Sequence, residues 1–265
     1  MKYCRFQSTN EAQWGLIQER QGELLIVATI DSPWQDSANV NAIPALPLRE
    51  ANLLPPVQPT KIICVGRNYR DHAKELGNDV PAEPLLFWKP LSSLLAPGGV
   101  VRMPRASERV DFEGELAVII AKRACDLSAD QNLDEYIHGF TLANDVTARD
   151  LQKKDGQWTR AKGFDTFCPL GPFVDTALTL DRVASGITLE TRVNGELRQH
   201  GSTADFIFSL PHLLAYITAA ITLEPGDLLL TGTPAGVGPL AAGDRVEISS
   251  EGLGTLTNTF APKEN

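Results

Sequence analysis

The chain has 265 residues, enough for one large domain or for a catalytic domain with a small appendage. Hydrophobic residues make up 43% and charged residues 22%, which is ordinary for a protein with a real core. A formal net charge of -9 leaves no diffuse positive field to hold nucleic acid, and no apolar run approaches the roughly 20 residues of a bilayer-spanning helix. The segment from Met1 to Gly15 has no apolar signal stretch, so the expected location is the cytoplasm. Cys4, Cys64, Cys125 and Cys168 form no CxxC pair and read as buried thiols rather than disulfides or zinc ligands.

Residues 1–57 read as a small separate unit. Short strands are expected at Arg5 to Gln7, Gln13 to Ile17 and Glu23 to Ala28. A proline-rich stretch follows, from Ile43 to Leu48 and from Leu53 to Pro59, and reads as a linker because proline resists helix and central strand alike. Residues 58–265 form the larger unit. Lys61 to Val65 is an apolar run ending at Gly66, consistent with a buried strand. Val110 to Ile120 is a second strand. Ser128 to Gln131 fits a capping box and predicts a helix closing at His138, with Gly139 just past its end. Phe140 to Asn144 reads as strand, and Thr147 with Asp150 predicts a helix through Lys154. Ser209 opens an apolar helix to about Ile221, with Pro211 tolerated in its first turn. Glu224-Pro-Gly-Asp227 is a turn before the strand Leu228 to Leu230, and the tail alternates like strands. Strands outnumber helices without a βαβα alternation, so a mixed α+β, β-rich fold is expected.

The segment Val110-Asp-Phe-Glu-Gly-Glu-Leu-Ala-Val-Ile-Ile120 carries the sharpest signal. Side chains alternate along a strand, so Asp111, Glu113 and Glu115 share one face. They run straight into an apolar core segment, and a buried acidic face needs a counter-charge. A hard cation such as Mg²⁺ or Mn²⁺ takes oxygen ligands of this kind, and Asp145 ends another apolar strand from which a further carboxylate can come. The alternative is a solvated acidic face with no metal.

Five ordered motifs resemble the fumarylacetoacetate hydrolase family. They are Gly66-Arg-Asn-Tyr-Arg-Asp-His-Ala-Lys-Glu75, Glu113-Gly-Glu115, Asn144-Asp-Val-Thr-Ala-Arg-Asp150, Trp158-Thr-Arg-Ala-Lys-Gly-Phe-Asp165 and Gly232-Thr-Pro-Ala-Gly-Val-Gly238. The resemblance spans about residues 58 to 262. It implies a mixed β-sandwich roll, generally dimeric, with Glu113, Glu115 and Asp145 as ligands to Mg²⁺ or Mn²⁺, Ca²⁺ being a possible substitute in crystals. It further implies His72 and Glu75 as a catalytic pair and Lys162 as the active-site lysine. Arg67 falls in a loop near the site, Arg149 and Gln152 at substrate contacts, and Thr233 where a substrate carboxylate is met. The first 57 residues resemble the N-terminal domain of bacterial members described as hydroxyheptadienedioate isomerases.

The residue types suit these roles. A 2-oxo acid presents two oxygens that chelate one metal, which stabilises the enolate formed when a proton or carbon group leaves the adjacent carbon. His72 and Glu75, three apart, share one face of a helical turn. Glutamate orients the ring, and a water between them can be activated; an exposed loop pair is the plain alternative. The polar stretch Lys74 to Pro84 has the composition of a lid. Lys162 suits a developing enolate charge, against the usual fate of lysine at the surface. Arg149 suits a substrate carboxylate or a structural ion pair. The Gly232–Gly238 segment is an anion-binding turn or a tight structural one. His138, His200 and His212 are not expected to be ligands.

Two activities and one non-enzymatic role compete. Carbon–carbon hydrolysis of an acylpyruvate, or decarboxylation of oxaloacetate, is favoured by the joint presence of His72 and Glu75. Isomerisation or tautomerisation of a 2-hydroxy-dienoate or oxaloacetate is the alternative, favoured by the N-terminal segment and by Lys162 to Pro172. A metal-binding module without activity is disfavoured, because every matched position is retained. The expected partner is a small 2-oxo acid, with a second copy of the chain forming a homodimer.

Overall fold

The computed structural model describes residues 1–9, 11–35, 39–77 and 79–261. Its largest element is a twelve-stranded mixed sheet. At its centre the strand Gly114–Ile120 lies antiparallel between Ile137–Asn144 and Leu228–Leu230. Ile62–Gly66 pairs parallel to Leu228–Leu230, and Leu85–Lys89 closes that edge. On the other side Ile137–Asn144 pairs with Cys168–Asp175, which pairs in turn with Lys2–Gln7. Ala12–Arg20, Glu23–Ile30 and Val40–Pro47 continue the sheet as a meander.

The central strand shows why this sequence folds so. Leu116, Val118 and Ile120 pack into one core while Ala117 and Ile119 pack into another on the opposite face. A strand buried on both sides needs a continuous apolar run, which Leu116 to Ile120 supplies. The first core is closed by a five-stranded sheet of Glu196–Ser202, Thr188–Val193, Arg245–Ser250, Gly254–Ala261 and Val100–Arg102, together with the helix Leu210–Thr218. Ser209 caps that helix by accepting from the His212 N–H, as its sequence predicts, although the helix ends at Thr218 rather than near Ile221.

Several expectations are corrected. The helix expected from Ser128 to His138 is absent. Its place holds turns, a short 3-10 segment at Asp134–Tyr136, and the start of the strand Ile137–Asn144. His138 therefore lies on a strand, its ring 4.1 Å from that of Trp34, and burial pushes its imidazole pKa down to about 4. The second helix begins at Arg149 instead of Thr147, because Thr147–Ala148 pairs with Val110–Phe112. The proline-rich stretch overlaps the edge strand Val40–Pro47, and sheet edges are where proline is tolerated. All four cysteines are free and three are buried, but Cys125 is exposed. No helix among the described residues is long and apolar enough to cross a membrane.

Candidate active site

The strand expected from Val110 to Ile120 is interrupted at Glu113. Val110–Phe112 belongs to a small sheet with Thr147–Ala148 and Gly238–Pro239, whereas Gly114–Ile120 belongs to the large one. Glu113 sits at the transfer point. Its N–H donates to Asn144 Oδ1 at 2.9 Å and its carbonyl accepts from the Asp145 N–H at 2.9 Å. Those two bonds bring Asp145 beside the strand. Glu113, Glu115 and Asp145 are all buried, and each offers an oxygen within 4.8 Å of the others. Asp111, read as sharing this acidic face, is taken instead by Arg149 Nε at 2.9 Å and Arg109 Nε at 2.8 Å.

Three buried cations surround the trio. Lys162 Nζ bridges Glu113 Oε2 at 2.5 Å and Asp145 Oδ2 at 2.6 Å. Lys89 Nζ donates to Asp145 Oδ1 at 2.6 Å and to the Lys162 carbonyl. Arg149 bonds Glu113 Oε1 and Asp111 Oδ2, and reaches Gln152 Oε1 at 2.7 Å. Burial alone raises the Glu113 carboxyl, but Lys162, then Arg149 and His72, outweigh it and hold it well below the usual carboxylate range. Burial likewise works against the Lys162 ammonium, and Asp145 and Glu113 override it, keeping that lysine charged. Glu115 differs. It accepts from the Gly232 N–H at 2.7 Å, and among the described residues no Lys, Arg or His forms an ion pair with it. Burial first, then Asp145 and Glu113, push its carboxyl well above the ordinary range.

This donor set fits a hard divalent cation. Three carboxylates converge, all oxygen donors, and for one of them, Glu115, the nearby Lys162 charge does not offset burial and its two acidic neighbours. Glu113, Glu115 and Asp145 would hold such an ion.

Of the other expected residues, Arg67, His72, Arg149, Gln152, Lys162 and Thr233 line one cavity of about 730 Å³ with the trio, whereas Glu75 is not among its lining residues. His72 and Glu75 lie on the helix Arg70–Glu75, with Nδ1 and Oε2 3.4 Å apart, within ion-pair reach but off hydrogen-bond alignment. Glu75 itself accepts from the Gly236 N–H at 3.1 Å. The anion held by the glycine-rich turn in this structure is thus the chain's own: Gly236 takes Glu75, and Gly232 takes Glu115. Gly236 cannot be replaced cheaply, for its φ is +104° and a Cβ there would lie 2.0 Å from the Arg198 carbonyl. Burial raises the Glu75 carboxyl, but His72 and the Gly236 N–H bring it below its usual value. Arg67 adopts φ +57°, a left-handed conformation uncommon for a side chain of its size, and lies over the Trp158 ring at 5.8 Å. Of the stretch read as a lid, Asn78 lies outside the described residues.

Two residues escaped sequence reasoning. Lys89 sits between Trp88 and Pro90 with no local signal of burial, and Gln199 lies fully buried in an otherwise exposed run from Glu196 to His200. Both are recruited by partners distant in sequence.

Fold and site together define a β-rich enzyme scaffold built around a buried carboxylate centre. Residues 61–261 match the family described as Fumarylacetoacetate (FAA) hydrolase C-terminal, and the chain belongs to that family. It is 42% identical to the oxaloacetate tautomerase YisK of Bacillus subtilis, over 80% of this chain and 73% of that one. It is 44% identical to a mitochondrial oxaloacetate decarboxylase of Dictyostelium discoideum, over 74% of this chain and 90% of that one. A crystal structure of a 2-hydroxyhepta-2,4-diene-1,7-dioate isomerase from Mycobacterium marinum superposes with a TM-score of 0.87 at 40% identity, covering 100% of both chains.

Proposed function

We infer that the chain is a divalent-metal-dependent enzyme acting on small 2-oxo acids of the oxaloacetate kind, interconverting their enol and keto forms. The observation that carries this reading is the buried convergence of Glu113, Glu115 and Asp145 on one point, with Lys162 facing them in a cavity that has room for a small acid. The His72 and Glu75 motif in the sequence favours bond cleavage. Relatives named as a tautomerase and an isomerase move the weight to proton transfer, the alternative. Cleavage stays as the second reading because of the His72–Glu75 pair and the relative named as a decarboxylase.

When bound, the ion supplies a Lewis-acid centre for the two oxygens of a 2-oxo acid and for the negative charge that gathers on them. Lys162 donates hydrogen bonds from its ammonium toward the same region, and its neighbours keep it charged. In the second, cleaving route His72 carries the proton. Glu75 faces its Nδ1, and the turn at Gly236 holds Glu75 in place. Phe87 lies under the Lys162 Nζ, 5.1 Å from the ring centre, and packs edge-on against Trp158. These rings give the cavity an apolar wall that limits water. Arg149 orients Glu113 and Gln152.

The test is turnover of enol oxaloacetate, followed as loss of the enol absorbance, with Mg²⁺ or Mn²⁺ and then with chelator. Pyruvate release is followed in parallel to separate decarboxylation. Activity that survives chelation, or a Glu113→Ala variant that keeps both turnover and Mn²⁺ binding, would refute the reading.

A further inference from the structure

Gln199 connects three things that the chemistry needs held together. Its Oε1 accepts from the Gly114 N–H at 3.0 Å, and Gly114 is the residue between Glu113 and Glu115. Its Nε2 donates to Thr233 Oγ1 at 2.8 Å and to the Pro234 carbonyl at 2.8 Å. Thr233 Oγ1 in turn donates to the Gly114 carbonyl at 2.8 Å, which closes a ring of side-chain and backbone bonds. All three residues are buried, so none of these bonds competes with water.

The ring has a chemical consequence. The Thr233 hydroxyl has one proton, and Gly114 takes it; Gln199 occupies one lone pair. The rotor is therefore locked, and the turn carrying Thr233 is fixed against the strand that carries Glu113 and Glu115. The packing is tight enough to need glycine at 114, where a Cβ would lie 2.3 Å from Thr191 Oγ1 and 3.3 Å from Gln199 Oε1. Gln199 comes from the strand Glu196–Ser202 at the edge of the other sheet, so the ring also ties the two sheets together at the site.

We propose that Gln199 is a positioning residue: it fixes the Gly232–Pro234 turn, and with it Thr233, relative to the carboxylate centre, and so sets the affinity for a 2-oxo acid. This rests on the reading that Thr233 meets the substrate. Gln199 acts through Thr233 and is not itself in contact with the reacting atoms.

The probe is oxalate, a planar dianion with two adjacent carboxyl groups that chelates a metal as a 2-oxo acid does. Its binding to Mn²⁺-loaded protein is measured by calorimetry for wild type, Gln199→Met, Thr233→Val and the double variant, with Mn²⁺ affinity measured separately. Gln199→Met should weaken oxalate about tenfold, the worth of one buried hydrogen bond, while changing Mn²⁺ affinity less than threefold. In the Thr233→Val background the same change should weaken oxalate clearly less than in wild type, since only the bonds to Gly114 and Pro234 remain to be lost. Should the Met variant not fold, Gln199→Asn keeps a buried amide one methylene too short to span Gly114 and Thr233, and the same loss is expected. An equal loss in both backgrounds, unchanged oxalate affinity, or a parallel fall in Mn²⁺ affinity overturns the proposal. If wild type binds neither Mn²⁺ nor oxalate, the functional reading fails before the variants are compared.

Discussion

Replacing Lys89 by Met keeps the side-chain volume and removes the ammonium that Asp145 Oδ1 meets at 2.6 Å. Lys89 and Asp145 are both almost fully buried, so water cannot step in. Deleting one partner of such a pair costs about 3–5 kcal/mol, because the other charge is left uncompensated. Lys162 still bonds Asp145 Oδ2 at 2.6 Å, which places the expected cost at the lower end, about 3 kcal/mol. For a chain of this size each kcal/mol shifts the melting temperature by roughly 2–4 °C, so a drop of about 6–12 °C is expected. Scanning calorimetry in chelator measures it. Adding Mn²⁺ should narrow the gap, because the ion restores positive charge beside Asp145, and any ligand of the folded state stabilises it by mass action. A gap below about 2 °C in the metal-free protein would refute the electrostatic account of Lys89.

His72→Ala should abolish pyruvate release while leaving part of the enol–keto activity, since Lys162 remains beside the carboxylates; equal loss of both activities contradicts the assignment of His72 to the cleavage route. Asp227→Asn should destabilise the chain by about 2 kcal/mol at neutral pH, because the carboxylate accepts from Thr60, Lys61 and the Glu224 N–H and ties the starts of two parallel strands. Burial raises the Asp227 carboxyl, but Lys61, the Glu224 N–H and Thr60 outweigh it and lower its pKa in the folded state. The stabilisation is therefore complete above the ordinary carboxylate pKa and fades as pH falls through the lowered value. Urea unfolding at several pH values should show wild type and variant converging in acid, and a pH-independent difference would contradict the linkage.

Local chemistry made much of this protein legible before any coordinates. The apolar run from Leu116 to Ile120, entered from alternating acids, marks a doubly buried strand with a charged end, and the structure has it. Ser209 before Leu-Pro-His marks a helix start, and its hydroxyl caps the helix. Where local and tertiary preferences conflict, the tertiary one prevails. Ser128 to Gln131 looks like a helix cap, yet the residues that follow enter a strand paired on both sides within the main sheet, and those two ladders outweigh weak helix propensity.

The sequence by itself determined the β-rich class and the acidic strand, and through its family motifs it named residues of which all but Glu75 line one cavity. Only the tertiary structure shows what surrounds each acid. Asp111 and Glu113 are two residues apart and equivalent by pattern, but Arg109 and Arg149 take both oxygens of Asp111, while Glu113, which Arg149 also reaches, is turned toward Glu115 and Asp145. Lys89 and Gln199 became site residues only through partners 56 and 85 positions away in the chain. Burial of a charged or amide group costs least where its hydrogen bonds are met, and for Lys89 and Gln199 those partners come together only when the chain folds.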